Sequence, residues 1–141
     1  MKKIPSFQKD HRSIVPGFEV SMADKGITTF DLRFVKPNSG GYIPSDALHS
    51  IEHMLATALR NGRYKEHIVY FGPMGCRTGF YLLTSGLGYE KAKEALVEGI
   101  KACLDMEQVP GATEKECGNY REHDLAGAKE YLKKYLEAIG G

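Results

Sequence analysis

The chain has 141 residues, 42% of them hydrophobic and 26% charged, with 19 basic against 18 acidic side chains. That is the size of a single domain, 1–141, able to bury a core without disulfides, and its near-zero net charge offers neither a basic stripe for nucleic acid nor a polybasic face for a membrane. No stretch approaches the roughly 20 apolar residues of a membrane span, "MKKIPSFQKDHRS" lacks the apolar run of a signal peptide, and three cysteines, Cys76, Cys103 and Cys117, are an odd set for a disulfide framework, so a reduced, cytoplasmic protein is expected.

"ITTFDLRFV" (27–35) alternates. Phe30, Leu32 and Phe34 fall on one face and Asp31 and Arg33 on the other, which is strand periodicity. "KPNSGGYIPS" (36–45) is a Pro- and Gly-rich loop. A helix is predicted from Ser45 or Asp46, either of which can cap it, to "NG" at 61–62. "HIVYFG" (67–72) reads as a strand, "GPMGCRTG" (72–79) as a tight turn and "FYLLTS" (80–85) as another strand. A helix follows from Tyr89 to Glu107, then a loop, "VPGATEKECGNYREH" (109–123), in which His123 either caps the next helix, the favoured reading, or touches the site. That last helix spans Asp124 to Ile139, with Leu125, Ala128, Leu132, Leu136 and Ile139 at helical spacing. Closely spaced strands followed by amphipathic helices predict an α+β domain of two layers, an antiparallel sheet with helices packed on one face.

The stretch "ALHSIEHMLA" (47–56) carries the first sign of chemistry. At about 100° per residue, Ala47, Leu48, Ile51, Leu55, Ala58 and Leu59 share one arc. His49 and His53 lie roughly 40° apart just outside it, with Glu52 between them and the apolar edge. Two imidazoles at i and i+4 can hold one zinc or iron ion, and the glutamate lies within reach of water on that ion. A third ligand is needed. Cys103 shares a face with Ala92, Leu96, Gly99 and Ile100 and reads as core. Cys76, in "PMGCRTG", has Arg77 beside it and backbone N–H groups nearby, a setting that activates a thiol. Cys117, in "EKECGNYREHD", lies in a loop beside Gly118. Spacing alone assigns neither role, and either cysteine fits as the distant ligand.

Taken together, "HSIEH", "GPMGCRTGFYLL", "ATEKECGNYREHDLAGAK", "SFQKDH" and "FDLRF" resemble the S-ribosylhomocysteine lyase (LuxS) family, in order and over essentially the whole chain. The resemblance implies that His49, His53 and Cys117 are the protein ligands of one divalent metal per subunit, with water fourth. The implied ion is iron, Fe(II), with Zn(II) or Co(II) able to substitute. It further implies that Glu52 and Cys76 are the catalytic carboxylate and thiol, and that Ser6, His11 and Arg33 bind substrate. Its fold is α+β, and it implies a homodimer with active sites at the interface. The implied reaction cleaves S-ribosylhomocysteine to homocysteine and 4,5-dihydroxy-2,3-pentanedione, the autoinducer-2 precursor. One departure stands out: many members carry an aspartate three residues before the proline of "PMGC", where this chain has Tyr70.

Two other readings of His-x-x-Glu-His compete. Inverted zinc peptidases share the motif, but their third ligand is usually a carboxylate far along a much longer chain. A structural zinc module needs four protein ligands, which Cys76 would complete. Arg33, on the polar face of its strand, is either a partner for a substrate carboxylate or an ordinary exposed strand arginine.

Overall fold

The fold is taken from a computed structural model that describes residues 1–141. In chain order it comprises α1 (Pro5–Gln8), β1 (Gly17–Asp24), β2 (Ile27–Arg33), α2 (Ser45–Asn61), a 3₁₀ turn (Lys65–His67), β3 (Ile68–Pro73), β4 (Gly79–Ser85), α3 (Tyr89–Leu104) and α4 (Leu125–Ala138). The four strands form one antiparallel sheet in the order β1-β2-β4-β3. Helices α2, α3 and α4 pack on one another and close its inner face.

The register explains which residues meet. Two rows cross the sheet on its inner face: Phe18–Leu32–Phe80–Pro73 and Val20–Phe30–Leu82–Phe71. Phe30, Leu32, Phe80 and Leu82 are fully buried against Ile51, Leu55, Leu96 and Leu132 of the helices. Burying each such side chain contributes roughly 1.5–3 kcal/mol. The opposite face carries the rows Met22–Thr29–Leu83–Tyr70 and Glu19–Asp31–Tyr81–Gly72. The helices leave that face uncovered, and Met22 and Tyr70 are exposed there.

Several expectations are corrected. Strand β1 has no clear alternation in the sequence, because a bulge between Val20 and Met22 breaks its period and only Phe18 is buried. Helix α2 starts at Ser45, as expected, but its cap position is Pro44 and no side chain caps it. Asp46 instead accepts the Ala47 N–H at 2.8 Å and places a negative charge in the first turn. The buried face of α2 includes Ser50 and Met54 as well as Ala47, Ile51, Leu55 and Leu59. Helix α3 stops at Leu104, short of Glu107. Helix α4 is capped not by His123 but by Asp124, whose carboxylate accepts the Gly127 N–H at 2.9 Å. Tyr135 of α4 is buried, stacks on Phe34 with centroids 4.0 Å apart, and donates its hydroxyl to Gly17 O at 2.9 Å. That bond ties the last helix to the first strand.

Candidate metal centre and thiol cavity

One turn of α2 presents His49 and His53 side by side, both half-buried. The segment between α3 and α4 returns across them. It brings Cys117 and His123, and the four donor atoms all lie within 4.8 Å of one another. Cys117 Sγ is 3.4 Å from His49 Nε2, 3.8 Å from His53 Nε2 and 3.9 Å from His123 Nε2. Metal–sulfur bonds near 2.3 Å and metal–nitrogen bonds near 2.0–2.1 Å in a tetrahedron put S and N about 3.5 Å apart. The spacing therefore suits donors gathered around one ion.

Main-chain carbonyls orient the rings. His49 Nδ1 lies 2.8 Å from Glu122 O and His53 Nδ1 lies 2.9 Å from Pro110 O. A carbonyl only accepts, so both Nδ1 atoms carry the proton and both Nε2 lone pairs face the sulfur. Gly111 follows Pro110 with φ +68°, and a β-carbon there would press on His53 Nδ1. Glycine at this turn lets the Pro110 carbonyl reach the ring. Burial, and then the neighbouring His49 and His53, hold the His123 pKa below its ordinary value. Glu52 is half-buried on the same helix between the two histidines, outside the donor cluster.

Cys76 does not join this cluster. It is exposed on the turn between β3 and β4, in a cavity of about 350 Å³ whose walls include Ser6, Phe7, His11, Arg33 and Tyr81. The competing reading in which Cys76 completes a four-ligand structural zinc site thus finds no support, and the fourth donor near the other three is His123. All three expected substrate residues, Ser6, His11 and Arg33, line one cavity with the thiol. His11 is half-buried and donates Nδ1–H to Lys9 O at 3.0 Å. Tyr81 Oη approaches Ser6 Oγ at 3.5 Å.

Arg33 is not an exposed strand arginine. Only 3% of it is accessible. Its guanidinium donates to both Asp31 oxygens, at 3.2 and 2.7 Å, and to Thr78 Oγ1 at 2.8 Å. Lys9, from the N-terminal segment, reaches Asp31 at 3.7 Å. Arg77, expected beside the thiol, turns away. It donates to Ile43 O at 3.4 Å and lies over the Tyr42 ring. The partner of Cys76 Sγ is Thr78 Oγ1, at 3.1 Å. Cys103 is fully buried on α3, and burial pushes its thiol up to about 12. Tyr70, the departure from the family pattern, lies with its phenol over Gly72, where a β-carbon would overlap the ring.

No helix is long and apolar enough to cross a membrane. A family model described as S-ribosylhomocysteinase (LuxS) matches residues 4–140. A protein of Borreliella burgdorferi (strain ZS7) named S-ribosylhomocysteine lyase is 47% identical over 146 residues, covering 99% of this chain and 93% of the relative. Proteins of the same name from Finegoldia magna and Thermus thermophilus are 42% and 41% identical, covering 99% and 98% of this chain and 92% of each relative.

Proposed function

The chain belongs to the LuxS family of S-ribosylhomocysteinases, and on that premise we propose that it cleaves the thioether of S-ribosylhomocysteine. The products are homocysteine and 4,5-dihydroxy-2,3-pentanedione, which places the enzyme in a methyl cycle and in the synthesis of an autoinducer precursor for quorum sensing. The observation that carries the reading is the convergence of His49 Nε2, His53 Nε2 and Cys117 Sγ, with both ring lone pairs turned to one point.

The chemistry sets the requirements. The sulfur leaves from carbon 5 of the ribose, so β-elimination needs a carbonyl at carbon 3 and a removable proton at carbon 4. The sugar starts with its carbonyl at carbon 1, and two successive isomerisations carry it to carbon 2 and then to carbon 3. Each isomerisation removes a proton beside the carbonyl and returns one to the neighbouring carbon. A divalent ion held by His49, His53 and Cys117, Fe(II) in our reading, supplies a Lewis acid that stabilises negative charge developing on the sugar oxygens.

Cys76, as thiolate, takes and returns the carbon-bound protons. Glu52 moves the oxygen-bound protons and then removes the carbon 4 proton as the sulfur departs with the C–S electron pair, to be protonated as homocysteine. Each such group contributes about 10² to 10⁴ in rate. Arg33, which lines the Cys76 cavity while paired with Asp31, is the group assigned to the homocysteine carboxylate. Ser6 and His11 add hydrogen bonds from the N-terminal segment. Met22 and Tyr70, exposed on a sheet face that no helix covers, support a homodimer formed across that face, with substrate lying between subunits in a cytoplasmic enzyme.

The test is direct. Iron-loaded protein given S-ribosylhomocysteine releases a free thiol, measured with a thiol reagent, together with an equal amount of the pentanedione. No homocysteine from a fully iron-loaded preparation ends the reading. A peptide or amide hydrolase is not favoured, and a panel of peptide substrates is expected to remain uncut.

A further inference from the structure

Three imidazole Nε2 atoms surround Cys117 Sγ, and they do not have the same chemistry. The rings of His49 and His53 donate Nδ1–H to carbonyls, which frees their Nε2 lone pairs. His123 has a different partner: its Nδ1 lies 3.0 Å from Ser50 Oγ. A hydroxyl both donates and accepts, so its other contacts decide the direction. Ser50 is fully buried on α2, and its oxygen already accepts the Asp124 N–H at 2.8 Å. The hydroxyl proton therefore needs an acceptor within the protein, and no buried side-chain polar atom here is left without a partner. His123 Nδ1 is the acceptor in reach. With Nδ1 accepting, the ring carries its proton on Nε2, and that N–H faces Cys117 Sγ at 3.9 Å.

We propose that Ser50 and His123 form a brace for the metal-binding thiolate, in which Ser50 sets the His123 tautomer and His123 donates a hydrogen bond to Cys117 instead of serving as a fourth ligand. The inference rests on the metal-centre reading above and deepens it. Stacking on the His49 ring, with centroids 4.0 Å apart and planes 25° apart, holds His123 in place. The Asp124 N–H that meets Ser50 belongs to the cap of α4, so the brace also locks that helix start onto α2. His123 is a positioning residue: it acts on the ligand sulfur and leaves the ion with three protein ligands.

The experiment uses zinc-loaded full-length protein with ¹⁵N-labelled histidine and reads tautomers from long-range ¹⁵N–¹H correlations. The expected spectrum has protonated Nδ1 at His49 and His53 and protonated Nε2 at His123. In Ser50→Ala, His123 loses its fixed tautomer and shows both forms. In His123→Ala, one zinc per chain is retained with affinity lowered about 10- to 100-fold in competition with a chromophoric chelator, whereas His53→Ala loses zinc altogether. A protonated Nδ1 at His123 with Nε2 on zinc overturns the brace, as does zinc loss in His123→Ala as complete as in His53→Ala. Wild-type affinity in His123→Ala also overturns it. A wild-type chain that binds no stoichiometric zinc instead removes the metal-centre reading itself, and the brace with it.

Discussion

Around Cys117, the ring nitrogens facing away from the sulfur are each tied down, two to main-chain carbonyls and one to a buried hydroxyl. Around Cys76 there is one contact, the Thr78 hydroxyl at 3.1 Å, and the thiol lies open to its cavity. The two sulfurs thus occupy contrasting settings within one small domain. A ligand sulfur needs fixed neighbours, because coordination tolerates little error in distance or angle. A sulfur that carries protons, the role proposed for Cys76, must meet a substrate that arrives and leaves, and the buried Asp31–Arg33–Thr78 network beneath the turn would then supply rigidity from one step back.

The sharpest way to break this contrast is to remove a ligand. His53→Ala or Cys117→Ala is expected to abolish both bound metal and turnover, the first measured by elemental analysis and the second by thiol release. Cys76→Ala comes next: turnover falls by about 10² to 10⁴ while metal stays at one equivalent. Parallel loss of metal would show that the two sulfurs share one site after all. Third is the support under the thiol. Arg33→Met strands the buried Asp31 carboxylate with only Lys9 nearby, at 3.7 Å, and is expected to cost about 3–5 kcal/mol in urea unfolding. The smallest effect is at the α4 cap, where Asp124→Ala removes the acceptor of the Gly127 N–H. It is expected to lower stability by about 1 kcal/mol and leave Cys76 reactivity toward alkylating agents unchanged.

Much of the fold was legible because its signals are local. Periodicity and the Asn-Gly end defined α2 within its observed bounds, and the apolar face of α3 correctly buried Cys103. What stayed hidden depends on contacts distant in sequence. His123 follows a glycine-containing loop with no periodicity, and nothing local indicates that the loop folds back over α2. Ser50 is a polar residue on a core face, unremarkable until its partners are seen. Arg33 alternates out of the core as the strand pattern requires, yet it is buried, because Lys9, Thr78 and Asp31 cover the outer face at that point. The cation expected beside Cys76 was read from sequence adjacency, but Arg77 adopts φ +60° in the tight turn and directs its side chain to Ile43 and Tyr42. The two histidines, Cys117 and Cys76 were legible as candidates, and the fold gathers the first three in one cluster and leaves Cys76 in a cavity with Ser6, His11 and Arg33. The partners that fix their chemistry were not.

Residues 105–124 supply Cys117, the carbonyls of Pro110 and Glu122, and His123. The same segment has few main-chain bonds of its own, among them Cys117 N to Thr113 O and Glu122 N to Asn119 O, so an ion held there would double as a clasp. Lys115 and Arg121 are exposed within it. Stripping the ion with a chelator should therefore open a tryptic cleavage point there, and restoring zinc should close it, making cofactor occupancy readable on a gel from the length of two fragments.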